Sequence, residues 1–294
     1  MLTSEQKEAI RARLDAYVKR YPSQNKAVNS LKGISAGTVS CILNGKWDMI
    51  SDDMWLHLAA QIIGSGAGWQ LYGTAAYRGL MLYLEDAKEE SSVTWITGPA
   101  GIGKSTAAAA FVQKTKNVYM LTCSEDMHKS DFIRELAAAI GVRASGLTIR
   151  ETLQAIIKEL ARKDRPLLIF DEGDKLTDSV LYYYVSLYNA LEDKCGMVFL
   201  STNYMTRRMS RGVESGKKGY DELESRICRR FVPLDLVKSD EVESICHING
   251  LTDRAAIRTV LEEAHECGND LRRVRKSVHK ELRKLAVQAA SGNN

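Results

Sequence analysis

The stretch GPAGIGKST (Gly98–Thr106) limits what this chain can fold into more than any other part of it. It matches G-x-x-x-x-G-K-[ST] and follows directly on an apolar run, VTWIT (Val93–Thr97). The run reads as a buried strand and the residues after Gly103 as a helix, so the glycines form a strand–loop–helix turn. Gly98, Gly101 and Gly103 let the backbone wrap an anion without a Cβ in the way. Successive N–H groups and the positive end of the helix then point at phosphate. The assignment covers Gly98, Pro99, Ala100, Gly101, Ile102, Gly103, Lys104, Ser105 and Thr106 as the cradle for a nucleoside triphosphate, with ATP and Mg²⁺ as cofactors. Lys104 reaches the β and γ phosphates, and the Ser105 hydroxyl ligates Mg²⁺.

Around this loop, helical and strand patterns alternate from residue 77 to residue 236, which implies a parallel sheet covered by helices. Strands are expected at VTWIT, NVYMLTC (Asn117–Cys123), PLLIF (Pro166–Phe170), GMVFLST (Gly196–Thr202) and FVPLDL (Phe231–Leu236). Helices are expected near 104–115, 130–140, 150–162 and 178–192. Residues 1–63 read as a separate helical domain. Its first helix carries Ile10, Leu14, Tyr17, Val18 and Tyr21 on one face, with Ser4 as a possible cap, and stops at Pro22. Two short helices then flank a turn at Gly33, the second capped by Ser35, and Ile34, Val39 and Ile42 or Leu43 pack the pair. Residues 64–76 are rich in glycine and small side chains and read as a linker, with Trp69, Leu71 and Tyr72 docking part of it. Residues 237–294 form a small helical lid, and the final SGNN is expected to fray.

The rest of the composition mainly excludes. Six scattered cysteines with no C-x-x-C speak against a disulfide framework and fit a reducing cytoplasm. Cys246, His247, His265 and Cys267 lack the paired spacing of a zinc site and read as buried thiols and incidental histidines. No apolar stretch is long enough to cross a membrane, and the N-terminus has no signal-like apolar core. A formal charge of +4 permits a nucleic-acid partner without requiring one.

The strand LLIFDE ends in Asp171 and Glu172. Two carboxylates at the C-terminal edge of an apolar strand downstream of a phosphate loop are what a Walker B element needs: Asp171 for the Mg²⁺ shell, Glu172 to polarise the attacking water. The next strand ends in Asn203, whose side chain would lie between the earlier strand tips, near the γ phosphate; the alternative is a plain turn residue. In LESRICRRF, Arg226 stands where ring-forming ATPases keep an arginine finger for the neighbouring subunit, with Arg229 and Arg230 as further candidates and a solvated basic helix end as the alternative. In GNDLRRVRKSVHK, Arg272 or Arg273 could fold back over the nucleotide as a second sensor, or join Arg275, Lys276 and Lys280 in a basic stripe.

Phosphate loop, D-E, sensor Asn, S-R and helical lid, in that order, resemble the AAA+ ATPases over residues ~77–290. This implies an α/β AAA+ P-loop NTPase with a parallel five-stranded sheet, an N-terminal helix-turn-helix and a C-terminal helical lid. With GISAGTVSCILNGKW ahead of the module, SRICRR before the last strand and HING (His247–Gly250) in the lid, the chain is similar to the phage Mu transposition protein B family. The resemblance implies an ATPase that assembles as a helical homo-oligomer on duplex DNA with little sequence preference, presents that DNA to a transposase, and disassembles on hydrolysis. Two departures stand out. DEGD replaces the D-E-A-D of many relatives, so that Gly173 should loosen the following turn. Asn29 stands where a small residue usually lets the two short helices approach.

For DNA, Ser35, Gly37 and Thr38 at the start of the second short helix, with Lys26, Lys32 and Lys46 flanking, suit backbone positioning more than base readout; a protein-docking module is the alternative. YMTRRMSRGVESGKKGYDE (Tyr204–Glu222) has few apolar residues and reads as an exposed basic loop presenting Arg207, Arg208, Arg211, Lys217 and Lys218 to the duplex, or simply to solvent. Lys129 and Arg143 are further candidates. Two other functions remain open: an AAA+ loader or remodeller of a protein client such as a helicase, and a nucleotide-switched transcription regulator.

Overall fold

The computed structural model describes residues 4–19, 21–31, 33–62, 69–227 and 230–291. Lys32, Cys228, Arg229, linker residues 64–68, the side chain of Ser4 and the terminal residues 292–294 lie outside the described set. The N-terminal helices are α1 (Ser4–Val18), α2 (Gln24–Val28), α3 (Ala36–Leu43) and α4 (Asp52–Ile62). The central part runs α5 (Ala75–Glu89), β1 (Val93–Thr97), α6 (Lys104–Lys114), β2 (Val118–Thr122), α7 (Lys129–Ile140), α8 (Ile149–Leu160), β3 (Leu167–Asp171), α9 (Asp178–Leu191), β4 (Gly196–Ser201), α10 (Tyr204–Glu214), α11 (Tyr220–Arg226) and β5 (Phe231–Pro233). The chain ends in α12 (Ser239–Ile248), α13 (Arg254–Glu266) and α14 (Leu271–Ser291). The described residues divide into two compact units: one continuous from Gly73 to Val237, the other taking those up to Tyr72 together with those from Lys238 onward.

The continuous unit is built on a parallel sheet of order β2-β3-β4-β1-β5. Its register lines up one row across all five strands: Leu121, Phe170, Phe199, Trp95 and Phe231. Trp95 stacks on Phe199 at 4.3 Å and Phe199 on Phe170 at 4.7 Å, and Phe132 of α7 continues the column at 5.7 Å from Phe170. This row lies just below the strand tips, so the loops that follow rest on an aromatic floor. β3 and β4 are buried along their whole length, as expected of central strands with both faces covered. Helix ends follow local chemistry. Thr148 and Glu151 cap α8 reciprocally, and Thr74 caps α5 through the Tyr77 N–H at 3.1 Å.

One expectation fails here. Residues 204–222 are not an exposed loop: α10 fills the first half and α11 begins in the second. Met205, Met209 and Gly212 share one face at helical spacing and are buried, and Tyr220 packs against Gly212 so closely that a Cβ there would meet its ring at 2.0 Å. Three small or flexible apolar groups at that spacing suffice to dock a helix whose other faces are polar.

In the second unit, α1–α4 enclose a core of Leu14, Val28, Leu31, Ile34, Val39, Ile42, Trp55 and Leu58. Ser35 caps α3, its Oγ accepting from the Thr38 N–H at 3.0 Å, and Gly33 turns with φ of +68°. Asn29 is exposed at the end of α2, so its size does not bear on the packing of α2 against α3. The described end of the linker is docked: Trp69 stacks on His279 at 5.6 Å, and the Asn249 side chain accepts from the Gln70 N–H at 2.9 Å while donating to its carbonyl at 3.2 Å. Of the four residues weighed as zinc ligands, Cys246 is buried, with a thiol pKa that burial pushes up to about 11, whereas Cys267 is exposed.

Candidate nucleotide site

β1 delivers the chain into the glycine loop at the C-terminal edge of the sheet. The Gly98 N–H donates to the Ser201 carbonyl at 3.2 Å, which ties the loop to the tip of β4. A Cβ on Gly98 would sit 2.5 Å from the Ile102 side chain, and Ile102 is buried beneath the loop. Gly101 (φ +83°) and Gly103 (φ +95°) hold conformations that suit glycine alone, and Gly103 opens α6. Lys104 is the first residue of α6; its Nζ donates to the carbonyls of Gly98 at 2.7 Å and Pro99 at 2.9 Å. Ala100 and Thr106 are exposed on the rim.

β3 brings Asp171 beside this loop. Asp171 is 3% exposed, and burial raises its pKa against the pull of a hydrogen bond from Ser105 and of the Glu172 N–H, which reaches Oδ1 at 3.0 Å. The two groups expected to share a magnesium ion, a serine hydroxyl on α6 and a carboxylate on β3, therefore lie near each other. Hard oxygen donors with an anion cradle alongside fit Mg²⁺–triphosphate. Cys123, whose N–H donates to the Asp171 carbonyl at 2.8 Å, is sealed in next door, and burial pushes its thiol up to about 12.

Glu172 has φ of +56° and ψ of +37°, a left-handed conformation rare for a non-glycine residue. Its carboxylate pairs with Lys175 at the end of the following 3₁₀ turn, Gly173–Lys175. Gly173 does not loosen that turn. It is buried, and a Cβ there would lie 3.2 Å from the Phe199 ring and 3.4 Å from Trp95. The aromatic floor occupies the space an alanine would use. Asn203 follows β4 as the first residue before α10 and is exposed; β4 runs between β3 and β1, so Asn203 leaves the sheet between the two loops just described.

Arg226 ends α11. Its guanidinium lies over the Tyr188 ring at 5.2 Å and reaches Glu222 at 3.7 Å, and its Nε is buried with no hydrogen-bond partner among the described residues. Arg230 is exposed ahead of β5. In the other unit, Arg272 is exposed at the start of α14, where its N–H is capped by Asp270 at 2.7 Å, while Arg273 and Lys280 both turn to Glu263.

The residues considered for DNA separate clearly. Ser35, Gly37 and Lys46 are exposed and Thr38 is half-buried. Lys129 is exposed at the start of α7, with its Nζ over Tyr183. Arg207, Arg211, Lys217 and Lys218 are exposed, but Arg208 turns inward to Asp178. Lys175, Asp178 and Tyr220 went unnoticed in the sequence. The Glu172–Lys175 spacing of three was a usable signal, whereas Asp178 meets its partners 30 and 42 positions away and left none.

Residues 87–209 match the AAA domain family. The chain is 22% identical over 264 residues to the ATP-dependent target DNA activator B of Escherichia phage D108, and equally to that of Escherichia phage Mu, covering 86% of this chain and 83% of each relative. Among solved structures, the Aeropyrum pernix Orc1 protein in complex with DNA is similar in fold, with a TM-score of 0.50 and 17% identity, over 74% of this chain and 59% of that one. The core is thus an AAA+ P-loop domain with a parallel five-stranded sheet, and the protein is an ATPase. No helix among the described residues is long and apolar enough to cross a membrane.

Proposed function

We infer that this protein is an ATP-dependent target-DNA activator: it assembles as a helical homo-oligomer along duplex DNA, presents that DNA to a transposase, and comes apart on ATP hydrolysis. The observation that carries the reading is the span of the likeness to the phage activators. It runs over 264 residues, well beyond the AAA domain at 87–209, and so takes in sequence on both sides of the ATPase core.

Within the site, Lys104 exchanges its loop carbonyls for the β and γ phosphates, and the loop N–H groups hold the rest of the triphosphate. Ser105 and Asp171 would hold Mg²⁺, which when bound supplies charge neutralisation between the phosphates. Glu172 accepts a proton from the attacking water, Asn203 orients the γ phosphate, and Arg226 reaches the triphosphate of the neighbouring subunit. The terminal nitrogen of Arg226, held only by a long 3.7 Å approach to Glu222, is the donor that supports that contact. Binding of duplex falls to Ser35, Gly37, Thr38 and Lys46 on a helix-turn-helix formed by α2 and α3, with Lys129, Arg207, Arg211, Lys217 and Lys218 contributing phosphate contacts that add up over many subunits.

Electron microscopy of the purified protein with a non-hydrolysable ATP analogue, with and without plain duplex, tests this. Filaments that need both are expected. A closed ring formed without DNA would instead establish a remodeller of protein clients, and monomers under both conditions would end the assembly reading.

A further inference from the structure

Arg208 is the one member of the basic cluster on α10 that leaves the surface. Its side chain is 16% exposed. One terminal nitrogen donates to the carbonyls of Asp174 at 3.2 Å and Leu176 at 2.8 Å, the other pairs with the Asp178 carboxylate, and Nε donates to the Tyr220 hydroxyl at 3.1 Å. Tyr220 in turn donates to the same Asp178 oxygen at 2.7 Å, and Lys217 pairs with the other. Burial alone would lower the pKa of Arg208, but the bonds to Asp178 and Tyr220 raise it.

The two carbonyls that Arg208 holds belong to the 3₁₀ turn and its cap, directly after Glu172. Glu172 sits in a left-handed conformation that its own side chain disfavours, so contacts from elsewhere in the chain must hold it there. The segment after β4 supplies them at two points. Ahead of α10 the Thr202 hydroxyl donates to the Asp174 carboxylate, and within α10 Arg208 grips the backbone. The same helix follows directly on Asn203 and carries Arg207 and Arg211 on its exposed side.

We propose that Arg208 is a positioning residue for ATP hydrolysis, fixing the turn that aims the Glu172 carboxylate, and is not a DNA contact. This rests on Glu172 being the group that activates water. Only a planar guanidinium reaches two carbonyls, a carboxylate and a hydroxyl at once; an ammonium keeps the charge and loses the fork. Misplacing a reacting group by about an ångström lowers turnover by up to about a hundredfold without a comparable change in binding.

The test is Arg208→Lys in the full-length protein, measured for ATPase kcat, for Kd of a fluorescent ATP analogue, and for duplex affinity against salt. A kcat reduced about tenfold or more is expected, with nucleotide Kd and the salt slope of duplex binding unchanged. Arg207→Ala and Arg211→Ala should show the other pattern, with weaker duplex binding and a shallower salt slope. Wild-type kcat in Arg208→Lys would overturn the proposal, as would a fall matched by equal loss of nucleotide affinity, or a loss of salt slope like that of Arg207→Ala. Should Arg208→Lys fold poorly in a thermal melt, Tyr220→Phe replaces it. That change removes one link of the same network, and a normal kcat there would also sink the idea. Glu172→Gln, run in parallel, separates the two claims: turnover surviving in that variant refutes the role of Glu172 itself, whatever Arg208 does.

Discussion

Glu172 and Gly173 are adjacent, and their side-chain needs are opposite. Glu172 holds a backbone conformation that glycine would adopt freely, while Gly173 has an ordinary φ and lacks a side chain because Trp95 and Phe199 fill the space. Strain of about 1–3 kcal/mol at a non-glycine left-handed residue persists where function requires that side chain. Glu172→Gln should therefore keep nucleotide binding and assembly and lower turnover by about 10²–10⁴-fold, read by steady-state ATPase and by duplex retention with ATP; loss of assembly in this variant would break the link between hydrolysis and release. Lys104→Ala should remove nucleotide binding and duplex assembly together, seen as loss of analogue fluorescence and of filaments. Gly173→Ala should destabilise by about 1 kcal/mol through overpacking. Combining it with Trp95→Phe should recover part of the loss in thermal melts. The carboxylates were legible from sequence because they follow an apolar strand. The reason for Gly173 was not, since it depends on two rings from β1 and β4 brought beneath the turn by sheet register.

α10 shows what a polar composition conceals. Three arginines and one glutamate over Tyr204–Glu214 read as loop, yet Met205, Met209 and Gly212 form a narrow apolar stripe, and arginine is a competent helix former. The five strands and the helices between them were legible because their apolar runs are broad. α10 was not, because its stripe is three residues wide and one of them is glycine. Gly212→Ala puts a methyl group against the Tyr220 ring and should cost about 3 kcal/mol or more, detaching α11 in hydrogen exchange before global unfolding. The ion network on this helix also has a pH signature. Burial pushes Asp178 up, but bonds from Lys217, Arg208 and Tyr220 outweigh it and bring its pKa down to about 2. A depressed carboxylate stabilises fully above its unfolded pKa, and that stability is lost as pH falls through the folded value. The Tm deficit of Asp178→Asn should thus be constant above pH 5 and shrink steadily toward pH 2. A deficit independent of pH would mean that the network holds without the charge.

At the scale of the molecule, the question is whether one chain is a complete enzyme. Under the proposed assignments, residues of one chain supply the phosphate cradle, the metal ligands and the hydrolytic carboxylate, whereas the cation for the γ phosphate is proposed to come from Arg226 of a neighbouring subunit, at the end of α11. Arg226 is held only lightly: a ring contact with Tyr188 and a long approach to Glu222, with Nε unpaired. With Arg226 half-buried and Glu222 exposed, a pair of this length contributes at most about 1 kcal/mol, so releasing it to a neighbouring subunit is inexpensive. If the site is shared, ATPase activity per molecule of wild-type protein should rise with protein concentration and with duplex, because both bring subunits together. Arg226→Ala should bind nucleotide as wild type does and melt within about 1 kcal/mol of it. It should lose about 10³-fold in kcat and show a specific activity that no longer depends on concentration. Mixing it with Glu172→Gln gives the decisive arm. A subunit with an intact carboxylate and no finger, next to one with a finger and no carboxylate, rebuilds one working site per pair, so activity should reappear in the mixture although neither protein hydrolyses ATP alone. Recovery would show that Arg226 acts across the interface. An inactive mixture, with both variants still forming filaments together, would return Arg226 to its own subunit and leave Arg230 as the described candidate for the trans contact.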